Sequence, residues 1–427
     1  MNSSAAPPDR LRLIIETDAG GDPDDEQSLV RFLLYADEWD VEGIIANRPT
    51  ARDGENLNPR RTGLEIVRAQ LDAYGQVYDH LKLHDPRYPT REQLWRVTVG
   101  GYDDVEDGVN LLIRSIDRDD PRPVWFLNWG TDHGSAKSCL GRALDKVLKE
   151  RGPQGYAAFK RKIRLSSDDQ FGDHTWKIDP PFEFWAYPFL PDMDGGRWYH
   201  RFSRLTKTAG GFDLKRDLLE NHGPLAALYP TNTDRPQKEG DTMTFLRLIP
   251  NGLNEPERPE WGSWAGRFAP RENANGRRYY WPNVRDTLDG KTNRDNTLIR
   301  WAAHIQNDFR ARLDWCVKDH AHANHPPQVK LTGDRDRTAK PGETIDLDAS
   351  ASTDPDGNAL GFQWIVYPEV SGYRGAVPVF SNAIAARTRI TLPADAAGQS
   401  LHLIVMVTDN GSPPLTRYGR SIVTVLP

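Results

Sequence analysis

Short apolar runs alternate with longer amphipathic stretches through the first half of the chain. Leu11–Ile15, Val41–Ala46, Val124–Asn128 and Lys162–Ser166 are short and apolar, the pattern of strands buried on both faces. Between them, Gln27–Tyr35, Thr62–Tyr74, Asp107–Ile116 and Ser135–Glu150 carry apolar residues at helical spacing. Strand, helix and strand at these intervals predict a parallel α/β sheet covered on both faces. Ligands of such sheets gather at the carboxyl ends of the strands. There the chain places Glu16-Thr-Asp18, Asn47, Asn128-Trp-Gly-Thr131 and Ser166-Ser-Asp168-Asp169-Gln170.

From about Phe171 to Asn293 the pattern is irregular and rich in Pro, Gly and Trp. Leu214–Glu220 reads as helix and Phe245–Ile249 as a short buried run. The loop Pro250–Arg267 has almost no periodicity, but its tryptophans predict order rather than disorder. Asn296–Lys318 is the clearest helix, with Leu298, Trp301, Ile305, Phe309 and Cys316 on one face. His320-Ala-His-Ala-Asn-His325 follows and reads as a solvated linker, because its spacing fits no usual metal site. Beyond it, Val329–Leu331, Thr344–Asp348, Gly361–Tyr367, Arg387–Leu392, Leu401–Asp409 and Ser421–Val425 predict an Ig-like β-sandwich. Asp354-Pro-Asp-Gly-Asn358 has the look of a calcium loop but lacks the later glutamate an EF-hand needs, so it reads as a tight turn. The expected division is a disordered stretch over 1–10, an α/β domain over 11–320, a linker over 321–328 and the sandwich over 329–427.

Length and charge narrow the functional classes. A chain of 427 residues predicts two or three domains. Its 55 basic and 61 acidic side chains give a net charge of -6, with no basic block of the kind nucleic acid or a membrane surface requires. No apolar run is long enough to span a bilayer. Cys139 and Cys316 are too few for a disulfide scaffold and read as buried free thiols. The first ten residues lack the basic and apolar regions of a signal peptide, as in a mature form or a trimmed one.

One stretch stands out against this background. Six carboxylates lie between Glu16 and Glu26, with no Lys or Arg among them. Asp22 can cap a helix beginning at Pro23, and Asp24, Asp25 and Glu26 then sit in its first turn, where the helix dipole favours them. Glu16 and Asp18 end the preceding strand and are not explained in this way. Two glycines bring that strand end and the helix start together, so Asp18, Asp24 and Asp25 converge. Such a set suits a hard cation with oxygen ligands, calcium first and magnesium second.

Here the sequence resembles a known family. Glu16-Thr-Asp18-Ala-Gly-Gly-Asp22-Pro-Asp24-Asp25 is similar to the Asp-Thr-Asp-x-Gly-x-Asp-Asp signature of nucleoside hydrolases, with two residues inserted. It resembles more closely a nucleoside-hydrolase-like family of bacterial proteins, often secreted, one of them described as cellulose-binding. Ser28–Tyr35, Asp120–Trp125 with Trp129-Gly130, His222–Leu225, Glu239–Thr242, Ile249–Gly252 and Trp261–Phe268 match that narrower group. The C-terminal β module matches the one such proteins carry. The resemblance implies Ca2+ held by Asp18, Asp25, the backbone carbonyl of Trp129 and Asp241. It implies Asp18 as general base and Asp24 as the residue orienting a sugar hydroxyl. Two departures accompany it: Gly240 replaces the histidine before the last metal-binding aspartate, and Glu16 replaces the first aspartate of the signature.

The strand-end residues Asn47, Asp168 and Asp169 are expected to line the substrate site. Trp261 and Trp264 either stack on sugar rings or anchor their loop. The expected activity is calcium-dependent hydrolysis of a furanosyl or related glycoside. The alternatives are a carbohydrate-binding protein that does not cleave and a nucleoside N-ribohydrolase. The expected partner is a glycan, with neither nucleic acid nor membrane; a homo-oligomer is compatible. The resemblance implies a secreted or periplasmic location.

Overall fold

The computed structural model describes residues 10–21, 23–51, 58–60, 62–102, 105–130, 138–167, 182–186, 201–231, 236–272 and 278–427. The expected disorder of residues 1–10 lies almost wholly outside them. The chain divides into two compact units. The first takes in the described residues up to Ser203 with Gly223–Phe245 and Pro270–Trp281; the second is Arg204–His222, Leu246–Ala269 and Pro282–Pro427.

The first unit is built on the expected sheet. Strands β1 (Leu11–Thr17), β2 (Trp39–Ala46), β3 (Thr98–Gly100), β4 (Val124–Trp129), β5 (Ile163–Ser167), β6 (Phe184–Ala186), β7 (Ala269–Glu272) and β8 (Arg278–Trp281) lie in the order β3-β2-β1-β4-β5-β6-β8-β7. Pairing is parallel from β3 across to β6. Leu13, Ile14 and Ile15 of β1 and Phe126 and Leu127 of β4 are wholly buried, which is why these strands read as continuous apolar runs. The order turns at β1: β2 lies on one side and β4 on the other. That reversal is the switch point at which open α/β sheets bind ligands.

Helices α1 (Asp24–Leu34), α2 (Gly63–His84), α3 (Arg91–Arg96), α4 (Asp107–Asp117) and α5 (Cys139–Arg161) connect the strands. Two run past the expected ends. α2 continues through Gly75, where Arg91 packs over the missing side chain and a Cβ would meet Arg91 Cγ at 3.0 Å. α5 is broken at Gly152 (φ +65°) and resumes with Pro153, so the expected end at Glu150 marks the kink. Both cysteines are buried and free. Among the described residues, no helix is long and apolar enough to cross a membrane.

In the second unit, β9 (Asp286–Leu288) and β10 (Lys291–Asn293) pair with each other, while β11 (Asp336–Ala339), β13 (Leu360–Val366), β15 (Ser400–Asp409) and β16 (Thr416–Val425) form a sheet ordered β11-β16-β15-β13. β12 (Thr344–Asp348) and β14 (Arg387–Thr391) pair separately. Leu347, Trp364, Ile390, Leu403, Val405 and Val423 fill the core of this sandwich. Val329–Leu331 is not a strand; Gln328 makes only an isolated bridge to Thr353, while Val329 and Leu331 pack on the core. The strand in its place is β11, an edge whose polar sequence carries no apolar alternation. The tryptophan-rich loop is ordered as expected. Asn254 donates to the carbonyls of Leu246 and Ile249 and accepts from the Trp264 N–H, tying the loop to itself.

Candidate metal centre

The site is assembled at the carboxyl ends of β1 and β4. Thr17 ends β1, and its hydroxyl donates to Asp25 Oδ1 across the turn. The Asp18 N–H lies 3.2 Å from the same oxygen and 3.3 Å from the carbonyl of Trp129 on β4. Gly20 turns the chain with φ +94°, a conformation side chains resist. Gly21 must approach closely: a Cβ there would lie 2.9 Å from Asp18 Oδ2 and 3.1 Å from Arg48 Nη1. α1 then starts at Asp24, with Pro23 in the cap position and no side-chain cap. Asp22, the expected cap, lies outside the described residues.

The first turn of α1 puts Asp24 and Asp25 at the positive end of the helix dipole. Asp241 reaches them from more than two hundred residues away. Carboxylate oxygens of Asp24, Asp25 and Asp241 all lie within 4.8 Å of one another, and all three side chains are buried. Burial, followed by the charges of Asp241, Asp18 and Asp24, pushes the Asp25 carboxyl well above its usual range. Buried like charges held this close need a cation or a proton. The oxygen donors and their excess negative charge fit a hard divalent ion.

A polar framework keeps Asp241 in place. Gln27 of α1 donates to the carbonyls of Pro230 and Pro236, and its Oε1 accepts the N–H groups of Lys238 and Glu239. Arg31, one turn on, forms a wholly buried two-point pair with Glu239 at 2.5 and 3.0 Å. Tyr229, Gln237 and Thr242 also donate to that carboxylate. Glu239 has φ +48°, a conformation that costs about 1 kcal/mol or more and persists only where the surroundings enforce it. The Asp241 carbonyl then accepts from the backbone and hydroxyl of Thr244, whose hydroxyl takes the Trp129 indole N–H. Arg31 and Glu239 enter the sequence reading only inside family-like segments, and neither they nor Gln27 is given a role, because each is a single polar residue on an otherwise ordinary pattern.

The other expected residues fall into different places. Asp18 adjoins the triplet, and its Oδ2 pairs with Arg48 Nη1 at 3.0 Å. Asn47 is committed to Glu16, donating to Oε1 at 2.6 Å. Glu16 also accepts the Cys139 N–H at the start of α5, and burial raises its carboxyl to about 7. Glu26 turns away to Asn58. Trp261 and Trp264 belong to the second unit. Trp264 is wholly buried, with its indole N–H on the Tyr418 hydroxyl, so it anchors the loop and offers no face to a sugar. Trp261 is half-buried and edge-on to His402. Asp168 and Asp169 lie outside the described residues.

Residues 12–268 match the model of a family described as cellulose-binding Sde182, nucleoside hydrolase-like domain. The chain belongs to that family. Residues 344–425 of this Sde182-type chain also match the C-terminal domain of cellulose-binding protein Sde0182. Among solved structures, it is similar to a nucleoside hydrolase-related hypothetical protein from Saccharophagus degradans described as associated with carbohydrate metabolism. The two are 30% identical over 97% of this chain and 100% of that one, with a TM-score of 0.75. The PKD domain of the KIAA 1837 protein aligns at 17% identity over 24% of this chain and 90% of its own, with a TM-score of 0.18, and carries no argument. No curated protein matches.

Proposed function

We propose that this Sde182-type protein is a calcium-dependent glycoside hydrolase acting on a furanosyl or related glycoside. The observation that carries the reading is the buried convergence of Asp24, Asp25 and Asp241 at the sheet's switch point. Asp25, Asp241, Asp18 and the Trp129 carbonyl would hold the ion, and Asp24 would orient a sugar hydroxyl. Calcium, when bound, would supply the positive charge that polarises water and positions the sugar. Asp18 would accept a proton from the attacking water. Its ion pair with Arg48 fixes its orientation. The carboxylates around the cleaved bond would stabilise an oxocarbenium-like positive charge. A secreted or periplasmic site of action, where glycans are met, belongs to the same proposal.

The Arg48 contact also favours a second reading, in which the pocket holds carbohydrate without cleaving it, because the guanidinium already occupies an oxygen of the carboxylate that would take the proton. A panel of furanosides and plant glycans separates the two. Sugar release that requires calcium, stops with EDTA and is lost in Asp25→Ala supports hydrolysis. Glycan binding that survives EDTA and Asp25→Ala, with no sugar released, overturns it.

A further inference from the structure

Two short motifs with little meaning alone meet in the second unit: the histidines after the helix Asn296–Trp315, and the turn Asp354–Asn358. His320–His322 forms one turn of 3-10 helix, with Asp319 accepting the His322 N–H. His325, three residues on, is buried between two rings. It stacks on Trp315 at 5.2 Å and on His320 at 3.9 Å between ring centres. Asp356 engages His325 at two points. The His325 backbone N–H donates to Oδ2 at 2.7 Å, and Nδ1 lies 2.8 Å from Oδ1 and 3.1 Å from Oδ2. Nδ1 and the Asp356 carboxylate thus face one another as a pair of donors between which a metal ion can take the place of the shared proton.

Both segments are fixed before any ligand arrives. Asp354 Oδ1 accepts the N–H groups of Asp356 and Asn358 at 3.0 Å. Asn358 donates to Asn324 Oδ1, and Asn324 donates to Asp409 Oδ1 and the Pro413 carbonyl. The Trp315 indole N–H binds the Asn324 carbonyl. Donor atoms of His320, His325 and Asp356 thereby lie within 4.8 Å of one another. His320 is exposed, so its ring can swing from the stack to bring a nitrogen to an ion without disturbing buried His325.

We propose that His320, His325 and Asp356 bind a borderline divalent transition ion such as zinc, clasping the segment after the helix Asn296–Trp315 to the turn Asp354–Asn358. Two imidazoles and one carboxylate select such an ion over calcium or magnesium, which take oxygen donors. Three protein donors leave a fourth position to water. The site is separate in residues and in chemistry from the all-carboxylate centre of the first unit.

The test titrates zinc chloride calorimetrically into the chelator-treated full chain at pH 7.5, using wild type, Asp241→Asn, His320→Ala and Asp356→Asn. One zinc site per chain is expected, retained in Asp241→Asn and weakened by about thirtyfold in His320→Ala. His320→Ala keeps the His325–Asp356 contact and loses only the ring stack, so its metal-free melting temperature should lie slightly below that of wild type. Zinc should raise the wild-type value and not the variant's. Cobalt in the same site should give a visible ligand-field band that His320→Ala abolishes. Equal zinc affinity in wild type and His320→Ala overturns the proposal, as does the absence of any saturable site up to about 100 µM zinc.

Discussion

Replacing Asp241 by Asn should make the calcium-free protein more stable and the calcium-loaded protein less so. Asp24, Asp25 and Asp241 present carboxylate oxygens within 4.8 Å of one another inside the protein. Two full charges at that separation repel by about 3.5 kcal/mol at an effective dielectric constant of about 20. Proton uptake by Asp25, whose carboxyl is raised first by burial and then by Asp241, relieves part of this. A net gain of about 1–3 kcal/mol is therefore expected in Asp241→Asn without calcium. With calcium at a thousandfold excess over its Kd, wild type gains about 4.1 kcal/mol that the variant cannot. The order of stability therefore reverses between EDTA and calcium. The assay is urea or thermal unfolding of the full chain in both buffers, at neutral pH and again near pH 5. Because the folded-state pKa of Asp25 is raised, the folded chain binds more protons than the unfolded one above the ordinary carboxylate range. Stability without calcium should accordingly rise as the pH falls through that window, and calcium affinity should fall. An Asp241→Asn protein no more stable than wild type in EDTA, or equally stabilised by calcium, would refute the reasoning.

Other residues carry their own expectations. Burial raises Glu16 from 4.5 to about 7, which removes about 3 kcal/mol of stability above pH 7 relative to pH 4.5; Glu16→Gln should be the more stable protein at pH 8 and gain nothing near pH 4.5, and parallel pH–stability curves would count against it. Glu239→Gln strips a buried partner from Arg31 and should cost about 3–5 kcal/mol in denaturant unfolding, with calcium affinity lowered because Asp241 loses its support. Trp264→Ala should cost about 3–5 kcal/mol while leaving glycan affinity unchanged; lost glycan binding at unchanged stability would show that Trp264 meets the sugar.

The parts of the fold legible in sequence are those whose physical constraint is local. β1 and β4 are buried on both faces, as is the second half of β2, so composition alone marks them. β3 and β6 span three residues each and make no pattern, while β11 is a polar edge. Asp24 and Asp25 are legible because adjacent carboxylates at a helix start demand an explanation. Asp241 is legible only through family resemblance, since nothing in Glu-Gly-Asp-Thr announces a distant partner. Arg48, Gln27 and Glu239 were not legible, because their roles arise from contacts between segments as much as 212 residues apart. The solvated-linker reading of His320–His325 missed a juxtaposition with Asp356, 31 residues beyond His325.

The packing of Trp264 also bears on how the protein is made. Its indole N–H binds Tyr418, 154 residues further along the chain. Gly252 lies so close to Tyr418 that a Cβ would meet its carbonyl oxygen at 2.0 Å, and Arg420 donates to the carbonyls of Leu253 and Trp261. A ribosome adding about 5–20 residues per second needs about 8–30 s to reach Tyr418 after Trp264 has emerged. Throughout that interval the Leu253 and Trp264 side chains of this loop wait for the strand that will cover them. A ribosome stalled before Tyr418 should therefore leave a fragment with this loop uncovered and prone to aggregate.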